Sequence, residues 1–159
     1  FNVVDDFTRE AVVMDVERSF AGWLVARALD RAIAKRAAPK AIVCDNGPEF
    51  TSKAMELWSD RTGIPLRFIE PGKPVQNCYV ESFNGRFRDE CLNDHWFTSM
   101  QEARTQIAAW QRDYNETREH GSLGGMTPSE YGRAMESAEN ASRLPPFPQH
   151  PLQSKTTRT

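Results

Sequence analysis

The sequence has few cysteines and almost no net charge. Cys44, Cys78 and Cys91 are odd in number and form no C-x-x-C, so spacing supports neither a disulfide framework nor a zinc site. Twenty Lys and Arg stand against 22 Asp and Glu, a formal net charge of −2, which excludes a histone-like or polybasic coat. No apolar run approaches the ~20 residues that a membrane-spanning helix needs. The opening FNVVDDFTRE lacks an initiator Met, a basic n-region, an apolar h-region and a cleavage site, and a reduced, cytoplasmic compartment is expected. Three histidines, His95, His120 and His150, share no metal-ligand spacing and suggest no triad.

Core material, by contrast, is plentiful. The 159 residues are 39% hydrophobic, with four Trp and nine Phe, enough to bury one sizeable core. FNVV and AVVMDV, joined by DDFTRE, predict an antiparallel hairpin. Residues 19–37 carry apolar side chains at helical spacing and end before Pro39. AIVC at residues 41–44 reads as a short buried strand stopping at DNGPEF. A helix over 50–61 closed by Gly63, a strand LRFI over 66–69, and helices over 79–92 and 99–116 follow. In TPSEY, Thr127 as N-cap, Pro128 at the first helical position and Glu130 two residues on signal a last helix. Beyond about residue 138, prolines and hydroxyls predict a mobile tail. The expected organisation is residues 1–93 as a core, 94–137 as its helical C-terminal part and 138–159 as tail.

Two carboxylates stand out by context: Asp45 at the end of a buried strand, and Glu81 in the first turn of a helix. Such a pair can converge on a divalent cation, because hard ions take oxygen ligands and keep positions open for phosphate. The plainer reading is a turn aspartate and a glutamate answering a helix dipole. At ~100° per residue, Glu81, Asn84, Gly85 and Arg88 share one stripe of their helix, and Val80, Phe83, Phe87 and Cys91 another. Arg88 suits a phosphate oxygen. Between residues 61 and 88, Arg61, Arg67, Lys73, Arg86 and Arg88 outnumber Glu70 and Glu81, a bias that favours a polyanion.

The motifs DNGPEF, FIEPGKPVQNCYVESFNGRFRDECL and YNETREHGSLGGMTPSEY together resemble the integrase core of IS3-type insertion-sequence transposases, a core shared with retroviral integrases. The resemblance covers residues 1 to about 131. It implies an α/β, RNase H-like mixed sheet flanked by helices, with a small helical C-terminal extension. It also implies metal-dependent phosphoryl transfer, namely end cleavage and strand transfer, at three acidic residues. Asp45 and Glu81 match the second and third, as catalytic and metal-binding residues for Mg²⁺ or Mn²⁺, with two ions in the complete site. The first would stand one strand before Phe1, so the chain is expected to be N-terminally truncated, and Asp5 and Asp6 match a hairpin turn instead. Lys73, Asn84, Arg86 and Arg88 are the expected DNA-binding residues. The implied partners are DNA, as element ends and target, and a second copy or full-length transposase, in a bacterial cytoplasm at the nucleoid. Two other readings stay open: a catalytically inert remnant that binds DNA or transposase, and a general RNase H-like nuclease.

Overall fold

The computed structural model describes residues 1–70 and 78–143. Strands β1 (Asn2–Val4) and β2 (Ala11–Met14) form the expected antiparallel hairpin, Asn2 opposite Met14 and Val3 opposite Val13, with a register shift at Val3/Val4. Its turn is built by Asp5, whose Oδ1 accepts from the amides of Phe7 at 2.8 Å and Thr8 at 3.2 Å, the side-chain turn that aspartate favours. Arg9 then takes a left-handed φ of 63°.

Helix α1 (Gly22–Ile33) is shorter at both ends than expected, since Ala21 offers no side-chain cap. It packs against α2 (Lys53–Thr62), which Ser52 caps at Met55 N–H and Gly63 closes at φ 70°. The two helices meet closely at Gly22, where a Cβ would lie 1.9 Å from Ser52 Oγ and 2.8 Å from the Glu49 carbonyl. Val25, Leu29, Met55, Trp58 and Ile64 form the core there, with Phe1, Val3, Ile42 and Leu66 against it. Asp30 accepts from Trp58 Nε1 at 2.9 Å and from Arg61 at 2.8 Å.

Strands β3 (Ile42–Cys44) and β4 (Leu66–Phe68) pair in parallel, Ile42 beside Leu66. The pairing is thus mixed, as expected. Among the described residues, however, it forms two separate two-stranded ladders rather than one sheet.

Helix α3 (Cys78–Phe87) passes into a π-helical turn, Arg88–Leu92, where a continuous helix was expected. Helix α4 (Met100–Glu116), capped by Ser99, joins α3 in a second core of Ala11, Phe83, Phe87, Cys91, Ile107 and Tyr114, with Trp110 packed on it. A short 3₁₀ turn, Gly121–Leu123, leads to α5 (Pro128–Arg143). The capping box is present: Thr127 N–H donates to Glu130 Oε2 at 2.9 Å, and Glu130 N–H to Thr127 Oγ1 at 3.2 Å. The expected tail boundary is corrected, because α5 continues through residues 138–143. That stretch is alanine- and glutamate-bearing, and the first proline comes only at Pro145. Residues 144–159 lie outside the described residues.

Candidate functional site

The DNG loop is held to the end of its sheet by three contacts. Ile69 N–H donates to the Cys44 carbonyl at 3.0 Å, Asn46 Nδ2 donates to the Ile69 carbonyl at 3.1 Å, and Gly47 N–H donates to Asp45 Oδ1 at 2.9 Å. Gly47 is a glycine for a steric reason: a Cβ there would stand 2.8 Å from Glu49 Oε2 and 2.9 Å from Asp45 Oδ1. Asp45 is therefore exposed but oriented, and the Glu49 carboxylate crowds the same glycine, a neighbour that sequence reasoning did not single out. Cys44 is 4% exposed. Burial, reinforced by the charge of Asp45, pushes its thiol up to about 11, so it stays protonated and serves packing.

Glu81 stands exposed in the first turn of α3. Neither it nor Oδ2 of Asp45 has a hydrogen bond or ion pair among the described residues. The expected division of the helix holds: Phe83, Phe87 and Cys91 are buried, whereas Glu81 and Arg88 are exposed. Asn84 accepts from Asn2 Nδ2 at 2.9 Å, which ties α3 to β1 one turn from Glu81. Nothing lies within 4 Å of a Cβ built on Gly85, so that flank is open. Of the other expected DNA-binding residues, Arg88 is exposed at the start of the π-turn, Arg86 belongs to the opposite flank of α3, and Lys73 lies outside the described residues. Arg61 faces Asp30 on α1 and does not join a basic rim.

Asp5 is engaged by Arg36 at 2.6 Å as well as by the turn amides. Among the described residues no group of three or more His, Cys, Asp or Glu could hold a metal ion. The donors present are two exposed carboxylates, the hard oxygen type that Mg²⁺ takes, and Mg²⁺ is commonly held by only one or two carboxylates plus phosphate oxygens. Further along, the Arg118 fork donates to Glu90 at 2.7 Å and holds that carboxyl below its ordinary value. This pair pins the π-turn to the end of α4.

Two profiles of the integrase core domain match, one over residues 1–74 and the other over 62–128. The chain belongs to the integrase core family. Among its relatives, an uncharacterized 31.7 kDa protein of insertion element IS407 from Burkholderia multivorans is 57% identical over 129 residues, 81% of this chain and 47% of that one. An uncharacterized 39.2 kDa protein of insertion element IS476 from Xanthomonas euvesicatoria is 50% identical over 91% of this chain and 42% of its own length. The transposase InsF of insertion sequence IS3A from Escherichia coli is 24% identical over 81% of this chain and 46% of its own. The chain thus spans less than half the length of these relatives. In three dimensions it is similar to the catalytic core domain of BIV integrase, with a TM-score of 0.68 at 20% identity, over 87% of this chain and 88% of that one. Its fold is therefore the RNase H-like fold of integrase cores. No helix among the described residues is long and apolar enough to cross a membrane.

Proposed function

We propose that this integrase core processes DNA during transposition of a bacterial insertion element by metal-dependent phosphoryl transfer, with Asp45 and Glu81 as metal-binding catalytic residues. The observation that carries the reading is the pair itself: two exposed carboxylates, one oriented at a strand end and one in a helix's first turn, neither ion-paired with a cation among the described residues. Bound Mg²⁺ or Mn²⁺ would supply an activated attacking oxygen and a stabilised leaving oxygen. The chain's own part is positional. Asn2 and Asn84 fix the helix that bears Glu81, the DNG hydrogen bonds fix Asp45, and Arg88 offers its fork to a phosphate beside them. Lys73 joins it in this reading on sequence grounds alone. A third carboxylate would stand on a strand laid along the open edge of β1, which pairs only with β2 among the described residues.

The competing reading, an inert module that binds DNA or a transposase, draws on the same shortage of a third acidic group. The two are separated by measuring Mn²⁺ binding by calorimetry and strand transfer of a labelled element-end oligonucleotide. The comparison is between this chain and one preceded by a strand that ends in Asp. Asp45→Asn and Glu81→Gln should each abolish Mn²⁺ binding, and strand transfer should appear in the longer chain and fall at least ~100-fold with either substitution, since misplacement by ~1 Å already costs that much. Metal binding indifferent to both substitutions would overturn the assignment; metal binding without transfer in the longer chain would favour the inert module.

A further inference from the structure

Across α3 from Glu81, a second group of charges gathers around Tyr114. At ~100° per residue, Tyr79 and Arg86 lie within ~20° of each other and about 160° from the Glu81 and Arg88 stripe. Arg9, carried by the hairpin turn, stacks its guanidinium 3.6 Å from the centroid of Tyr79. The His120 ring meets Tyr114 edge-on at 5.0 Å, and Arg118 lies 5.9 Å from the same tyrosine ring. The charges of Arg9, Arg86 and Arg118 all bear on Tyr114 and on His120.

Arg9 has no ion pair among the described residues, and its neighbours Arg86 and Arg118 add charge of the same sign. Among the described residues Glu90 and Asp113 are the carboxylates whose charge bears on Arg118, and Arg118 occupies both oxygens of Glu90. Arg9 Nη1 and His120 Nε2 are buried with no hydrogen-bond partner, a costly condition, because buried polar groups are ordinarily paired and buried charges answered.

We propose that Arg9, Arg86 and His120 form a second anion site, separate from Asp45 and Glu81, that takes a phosphate of the DNA backbone. The proposal rests on reading the chain as a DNA-processing core. A phosphodiester has two free oxygens, which can accept from a guanidinium fork and an imidazole N–H together. Tyr79, 51% exposed and backed by Arg9, offers a flat ring to a base or sugar beside that phosphate. This feature favours a nucleotide over a protein carboxylate. Duplex or single strand bound at both flanks would cross the N-terminal end of α3, so the helix that carries Glu81 would be fixed by DNA from two sides.

The test is binding of a fluorescein-labelled duplex by anisotropy, without divalent ions, across a series of KCl concentrations. Each phosphate contact contributes close to one unit to the slope of log K against log salt. Arg9→Gln with Arg86→Gln should lower that slope by about one and weaken binding several-fold, and Arg9→Lys, which keeps the charge and loses the fork, should restore affinity only in part. In parallel, inorganic phosphate titrated into the unaltered chain at constant ionic strength should shift the imidazole resonance of His120 and leave His95 in place. That arm needs no variant to fold. No shift at His120 overturns the anion site. A shift with an unchanged DNA slope in the variants overturns its assignment to DNA, as does a variant whose only change is weaker self-association by sedimentation, which would give the site to a carboxylate of a second copy. Should the unaltered chain show no salt-dependent DNA binding, the proposed function itself fails, which is a different result from variants that retain the slope.

Discussion

Among the described residues Glu90 has its charge answered by Arg118 and Arg9 has no ion pair, and the two sit in one neighbourhood. The difference shows in how the groups around Tyr114 titrate. His120 is held below its ordinary value, first by burial and then by the charges of Arg86, Arg118 and Arg9. The folded protein therefore binds this proton less readily than the unfolded chain. The stability that depends on a neutral His120 is complete above the ordinary histidine value of ~6.5 and is lost as pH falls through its lower folded value. Melting curves in phosphate-free chloride buffer should accordingly begin to drop as pH falls below about 6.5, and His120→Gln should flatten that part of the profile. Glu90 contributes in a separate, more acid window, because its carboxyl is also depressed and its contribution disappears only as it protonates. Equal slopes for the two proteins just below about pH 6.5 would show that His120 is not the titrating group. Local context made Asp45 and Glu81 legible: a strand end and a helix start are both visible within a few residues. The group around Tyr114 was not legible, since Arg9, Arg86 and the pair Arg118 and His120 come from three separate segments and meet only through the packing of α3 and α4 against the hairpin.

At the scale of elements, helix ends marked by a local signal were mostly read correctly, although α2, capped by Ser52, begins at Lys53 and not at residue 50. Thr127 with Glu130 and Gly63 each cap where expected, and Ser99, expected as the first residue of its helix, is the N-cap. The start of α1 has no such signal, and its expected beginning fell too early. The π-turn at Arg88–Leu92 was hidden for another reason: inserting one residue shifts the helical phase without disturbing the apolar pattern that periodicity reads. Contact between α1 and α2 gives the sharpest prediction here. Gly22→Ala places a methyl against Ser52 Oγ, its Cβ and the Glu49 carbonyl at once, and backbone does not swing aside as a side-chain tip does. A loss of about 1–3 kcal/mol in urea unfolding is expected, the usual cost of overpacking. Ser52→Ala in the same chain should recover only part of it, because the carbonyl remains; full recovery would mean that the hydroxyl alone sets the limit.

At the scale of the whole molecule, the governing feature is that the four strands among the described residues make two ladders. A two-stranded ribbon is marginal by itself, and here each is secured by helices, β2 by α4 and β3 with β4 by the core of α1 and α2. The resemblance carried the expectation of one RNase H-like sheet, and the pairing directions agree with it. What no pattern within the sequence discloses is how many strands share a ladder, because alternation is the same for a strand with one neighbour as for a strand with two. The open edges have a consequence for handling the protein. Unpaired strand edges invite edge-to-edge association, which natural sheets blunt with lysine or proline. Val43 on β3 is 46% exposed and Phe68 on β4 is 42% exposed, so the parallel ladder carries apolar side chains next to strand edges that pair with no further strand among the described residues. Light scattering from concentrated solutions should therefore rise with time and temperature. Val43→Lys should suppress that rise while leaving the melting temperature within the ordinary scatter of surface changes, about ±0.5 kcal/mol. Unaltered scattering would place the adhesive surface elsewhere. On this account the chain's shelf life in solution is set by a few residues of unclaimed strand rather than by the strength of either core.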